Sequence, residues 1–193
     1  FHATGHWVEG EFLRKYEETD EAELVFGDPI TDRFKDHISA VEVQYFERAR
    51  FELHPDEFPP VRLTPLGELT YEPGIPFPIP ATTQACKRFK PSGPRVCLNF
   101  LHFFESHGGV AQFGYPVSEL EIKDGYLVQY FQRARFEWHP ERNPGDQVVL
   151  SNLGLKYFQI RGETLERLEP TDFIPYSTPQ SLKINVFPEN PLM

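Results

Sequence analysis

Across 193 residues, 29 acidic side chains face 19 basic ones, giving a net charge of −10 and a pI near 5.2. That balance argues against nucleic acid and anionic membranes as partners, since both are bound through a basic footprint. No segment approaches the run of about 18 apolar residues that membrane insertion requires. The chain starts at Phe1 and its only methionine is Met193, which reads as a processed or excerpted chain with no signal peptide left to recognise. Nineteen prolines and 18 phenylalanines describe a folded, aromatic-rich protein with stiff connectors.

In chain order, Val8, Phe12, Leu13 and Tyr16 share one face of a predicted helix, with Thr4 as its leading residue. Phe26-Gly27-Asp28-Pro29 predicts a tight turn, glycine supplying positive φ and proline fixing its own. Val43 to Phe46 and Arg50 to His54 predict a hairpin around Glu47-Arg48-Ala49, with a weak further strand at Arg62-Leu63. The stretch from Glu72 to Pro80, with prolines at every second or third place, predicts an extended polyproline spacer.

The same elements then return. Val96, Phe100, Leu101 and Phe104 repeat the helix face, with Ser92 leading and Gly108-Gly109 as its stop signal. Phe113-Gly114-Tyr115-Pro116 repeats the turn. Val128 to Pro140 repeats Val43 to Pro55 with only two differences, Glu47 to Gln132 and Leu53 to Trp138. Val148 to Leu150 predicts the further strand, and Leu153-Gly154 answers Leu66-Gly67. The expected fold class is α+β: two tandem repeats, each an N-terminal amphipathic helix packed on a small antiparallel sheet. The expected boundaries are module 1 at 1–72, a Pro-rich linker at 73–91, module 2 at 92–160 and a C-terminal extension at 161–193. Within that extension Leu182, Ile184 and Val186 alternate with polar residues, a lone strand signal over 181–187 suited to pairing with another subunit.

Two cysteines occur, Cys86 in the linker and Cys97 on the predicted second helix. A disulfide between them would contribute roughly 2–3 kcal/mol and fits an oxidising compartment; two free buried thiols are the alternative.

Chemistry has few places to sit. Period-two geometry puts Arg48, Arg50, Glu52 and His54 on one strand face, and Arg133, Arg135, Glu137 and His139 on its counterpart. Such a stripe can bind carboxylate, phosphate or sugar hydroxyls; it can equally hold the module together by pairing Arg with Glu. No nucleophile elbow, zinc-protease, P-loop or dinucleotide motif appears. Glu52 and Glu137 as a glycosidase pair would need to lie within roughly 10 Å, which residues on separate modules do not offer. Cys97, His102 and His107 fit no established zinc spacing. No catalytic residue, metal or cofactor is therefore expected. Trp7, Tyr115, Tyr126 and Trp138 remain as aromatics that sugar faces could stack on.

Taken together, Thr4-Gly5-His6, the Phe-Gly-x-Pro turns, the Val-Gln-Tyr-Phe-x-Arg-Ala-Arg-Phe-Glu-x-His-Pro block and Leu-Gly resemble an uncharacterised tandem module of secreted Chloroflexi proteins. More distantly the unit is similar to the LGFP repeats of actinobacterial mycolyltransferases, which have Leu-Gly-x-Pro where this chain has Phe26-Gly27-Asp28-Pro29 and Phe113-Gly114-Tyr115-Pro116. The glycine-rich hairpin turn usual there is Arg48-Ala49 and Arg133-Ala134 here. The resemblance implies a secreted or cell-surface, non-enzymatic module whose partner is a cell-envelope glycan. The alternative is a structural subunit of a surface layer, filament or larger assembly, with other protein subunits as partners.

Overall fold

A computed structural model describes residues 1–171, so the strand expected at 181–187 lies outside the described residues. The fold is mixed α+β with antiparallel sheets. In chain order the first half runs α1 (Gly10–Glu17), α2 (Ala22–Phe26), β1 (Phe34–Lys35), β2 (Glu42–Tyr45), β3 (Arg50–Leu53), β4 (Val61–Leu63) and α3 (Leu66–Leu69). After β5 (Ile75–Pro76) come β6 (Cys86–Arg88), β7 (Arg95–Cys97), α4 (Leu98–Ser106), α5 (Gly109–Phe113), β8 (Glu121–Lys123), β9 (Tyr126–Tyr130), β10 (Arg135–Trp138), β11 (Val148–Leu150) and α6 (Leu153–Arg161).

The first sheet has the order β1-β2-β3-β4 and the second β11-β10-β9-β8-β5, while β6 and β7 form a separate hairpin. Each hairpin block closes the same way. The Phe46 N–H donates to Ala49 O at 2.8 Å, and Phe131 to Ala134 O at 2.7 Å. The following N–H groups donate back to the Phe-Gly-x-Pro turn, Arg48 to Phe26 O and Arg133 to Phe113 O, both at 2.9 Å. Thr31 and Ser118 each accept a strand N–H, from Tyr45 and Tyr130, at 3.1 Å. Gln44 and Gln129, fully buried, spend both amide protons on carbonyls, so neither leaves a donor unmet.

One face of each sheet meets its helix: Phe12 of α1 over Phe51, and Phe100 and Phe103 of α4 over Phe136. These side chains belong to one continuous buried cluster that runs through both halves. The opposite face of each sheet is covered from the other half. Phe158 of α6 stands edge-on over Tyr45, ring centres 5.3 Å apart, while Tyr71, just after α3, stands over Tyr130 at 5.0 Å. The two helices reach across because each starts on the partner hairpin turn. The Glu68 N–H donates to Gln132 O (3.1 Å) and the Gly154 N–H to Glu47 O (2.9 Å). Glycine is required at both places: a Cβ on Gly67 would lie 2.0 Å from Phe131 O, and one on Gly154 1.9 Å from Phe46 O.

The linker departs from the expected free spacer. Ile75 and Pro76 pair with Ile122 and Glu121 as the edge strand of the second sheet, a place proline tolerates because an edge strand can spare its N–H. Cys86 pairs across the β6–β7 hairpin with Cys97 and is disulfide-bonded to it. Cys97 is thus the last strand residue before α4, not a helical one. Gly108 takes φ +90° and opens α5 as much as it ends α4. No described helix is long and apolar enough to cross a membrane.

Candidate functional site

Each polar stripe lies on the sheet face that the other half covers, beside Val43 and Tyr45 or Val128 and Tyr130. That placement turns it inward. Arg50 and Arg135 are only 5% and 7% exposed. Arg50 donates to Asp36 Oδ2 at 2.9 Å, to Thr64 Oγ1 at 3.0 Å and to Glu52 Oε1. The Thr64 hydroxyl donates to Glu52 at 2.6 Å, and His54 Nε2 closes the row 3.3 Å from the other Glu52 oxygen. The counterpart runs Asp124–Arg135–Glu137–His139, with Ser151 in the place of Thr64. Both guanidinium groups also lie over a tyrosine ring, Arg50 over Tyr45 at 5.3 Å and Arg135 over Tyr130 at 5.5 Å.

Arg48 and Arg133 are not part of these rows. Each sits in the hairpin turn and turns away to cap a short helix, Arg48 on the carbonyls of Glu23 and Leu24, Arg133 on those of Val110, Ala111 and Gln112. This satisfies the carbonyls that a helix end leaves without partners. Period-two spacing failed for these arginines because the chain turns at Glu47-Arg48.

The acidic anchor of the first row had no counterpart in the repeat pattern. The Asp36 side chain is fully buried and accepts from the N–H groups of Ile38 and Ser39, the Ser39 hydroxyl, and the guanidinium groups of Arg50 and Arg161. Burial alone would raise its carboxyl. The Ser39 and Ile38 donors and the Arg161 charge outweigh that and hold it well below the ordinary carboxylate range. Because Arg161 comes from α6, this carboxylate ties the second half onto the first. Asp124 has no such shelter, its side chain being 62% exposed. Burial, against the opposing charge of Arg50, pushes the Tyr45 phenol up to about 12. Asp36-His37-Ile38-Ser39 was readable as an Asp turn, and Thr64 and Ser151 as a matched pair just before Leu-Gly.

The looser candidates separate. Cys97 is held in the disulfide. The His107 ring stacks on Phe103, ring centres 4.0 Å apart, and its Nε2 lies 3.0 Å from Glu21. Among the described residues no group of three or more His, Cys, Asp or Glu could hold a metal ion. Tyr126 stacks on His139 at 4.2 Å and Tyr115 lies under Lys90. The Trp7 backbone N–H donates to Asp32. Trp138 instead borders an open hollow of about 210 Å³ with Cys97, Leu98, Asn99, Phe100, Leu120 and Leu127. The signal for this hollow was the Leu53-to-Trp138 difference in the repeated block.

No protein-family model, curated protein or solved structure matches the chain.

Proposed function

We propose that this chain is a non-enzymatic structural module of a secreted or cell-surface assembly, built from two copies of one α+β unit that lock each other. The observation that carries this reading is the fate of the Arg-Glu-His stripes. Arg50 and Arg135 are buried and paired with acidic groups of the protein itself, Arg50 with Asp36 and Glu52, Arg135 with Asp124 and Glu137, which supports a role for the stripes in folding over one in ligand binding. The Cys86–Cys97 disulfide supports an oxidising compartment, and the acidic surface supports protein partners over polyanions.

Docking onto cell-envelope polysaccharide is the second reading, and the half-exposed Trp138 favours it. Co-sedimentation with insoluble peptidoglycan and neutral polysaccharides separates the two. The structural reading expects the chain to stay in solution, with Glu52→Gln and Glu137→Gln changing only its melting temperature. Retention on a polysaccharide that those variants abolish while still folded would sink it.

A further inference from the structure

Resting on the structural reading, we propose that copies of this chain associate head to tail, the Phe58 ring of one seating in the Trp138 hollow of the next. The argument begins with a comparison inside the molecule. Strand register aligns Lys35, Glu42, Leu53 and Val61 across the first sheet, and Ile122, Leu127, Trp138 and Val148 across the second. On the first sheet Arg33 bridges Glu9 and Glu42 at 3.1 and 3.5 Å, and the hollow at that level is lined by charge, Lys35, Glu42, Asp56 and Glu57 among it. The second sheet carries Leu120, Leu127 and Cys97 at these levels, and among the described residues the face stays open and apolar. One version of the fold works without an apolar hollow, so folding does not explain it.

The rim points the same way. Leu98 takes φ +55°, where the first half has Gly10 at φ +60°. A leucine accepts that left-handed backbone at a cost glycine avoids, yet its side chain is 51% exposed on the hollow. A cavity of about 150 Å³ is enough for a benzene ring, so 210 Å³ admits one phenyl group. Among the described residues of the lining, Asn99 and the indole N–H of Trp138 are the polar side-chain groups, whereas a sugar ring would need several placed hydrogen-bonding groups.

The matching knob is on the other half. Phe58, in the loop between β3 and β4, is 99% exposed. The corresponding loop at 139–147 has no Phe, Tyr or Trp. Asp56 and Glu57 precede the ring, and Lys87 and Arg88 follow the cysteine bonded to the hollow. Arg62 pairs with Glu57 and Lys87 with Glu105, while Arg88 donates to the Gly93 carbonyl and has no carboxylate partner among the described residues, so Asp56 and Arg88 are the charges placed to meet. A knob on one half and a hole on the other make a heterologous contact, which extends as a chain of subunits instead of closing as a symmetric pair.

Sedimentation equilibrium from about 10 μM to about 1 mM tests this. The wild type should grow in mass with concentration. Phe58→Asp and Leu98→Asp should each weaken association by about tenfold or more, and their equimolar mixture should form a 1:1 dimer and nothing larger, one intact contact remaining. Near-UV circular dichroism checks that both stay folded, and Leu98→Gly is the fallback that suits the backbone. A wild type that stays monomeric, variants that associate like it, or a mixture that stays monomeric overturns the proposal. Of these, a monomer indifferent to polysaccharide removes only this contact. Polysaccharide that binds at the hollow, quenching the fluorescence of wild type but not of Trp138→Phe, removes the structural reading as well.

Discussion

Replacing Gly154 by alanine tests how the halves are joined. The new Cβ would sit 1.9 Å from Phe46 O, 2.8 Å from Ala49 O and 3.0 Å from Glu47 O. All three are backbone atoms of a hairpin turn, so no side chain can rotate aside. The start of α6 must withdraw, which breaks the bonds from Gly154 N–H (2.9 Å) and Leu155 N–H (3.2 Å) to Glu47 O. Overpacking costs about 1–3 kcal/mol, and each hydrogen bond adds about 0.5–1.5 kcal/mol. The sum is about 4 kcal/mol, a large part of the roughly 5–15 kcal/mol that holds a domain folded. Urea unfolding should show that loss, with a melting point lower by roughly 10 °C. Gly67→Ala should behave similarly, with its Cβ 2.0 Å from Phe131 O. A loss under about 1 kcal/mol in both variants would refute the claim that these turns are fixed seats for the partner helices.

The two arginine rows should differ in worth. Arg50→Ala leaves a buried Asp36 with less compensation and should cost about 3–5 kcal/mol, whereas Arg135→Ala frees the exposed Asp124 and should cost about half as much; denaturant titration of both variants measures the gap. Asp36 also predicts an acid limit. Its carboxyl is held below the unfolded value, so its contribution is complete above about pH 4 and is lost as pH falls further. The urea midpoint should therefore drop below that pH, and Asp36→Asn should flatten the dependence. Opening the Cys86–Cys97 bridge, 11 residues apart in sequence, should cost about 3 kcal/mol, read as the shift in melting temperature of the double Cys→Ser variant.

Local order was legible wherever periodicity and turn chemistry agreed. The hairpin blocks, the helix carrying Phe12 and the strand at Val148–Leu150 follow from spacing and turn chemistry, whereas the two cysteines left both a disulfide and free thiols open until the β6–β7 pairing joined them. What escaped was long-range. Nothing in Ile75-Pro76 announces a strand, because its partner Ile122 lies far along the chain. Leu66-Gly67 and Leu153-Gly154 were visible as a repeated pair, but the reason for the glycine is a carbonyl on the other half. Of the polar stripes, Arg50 with Glu52 and Arg135 with Glu137 lie on their strands, while Arg48 and Arg133 sit in the turns. Whether they faced solvent depended on Phe158 and Tyr71 arriving from elsewhere, which no local pattern encodes.

The reciprocal seating of α3 and α6 also bears on how such a chain could arise. Each half lends its last helix to its neighbour, so neither is complete by itself. A lone half would expose the tyrosine face of its sheet and would seek a twin to cover it, forming a symmetric homodimer in which the same helices are exchanged between chains. The present molecule has the layout of such a dimer tied into one polypeptide. Such a tie would free the halves from having to stay identical, each able to change where the other does not. Arg33 on one side and Leu98 and Trp138 on the other are places where the two halves differ.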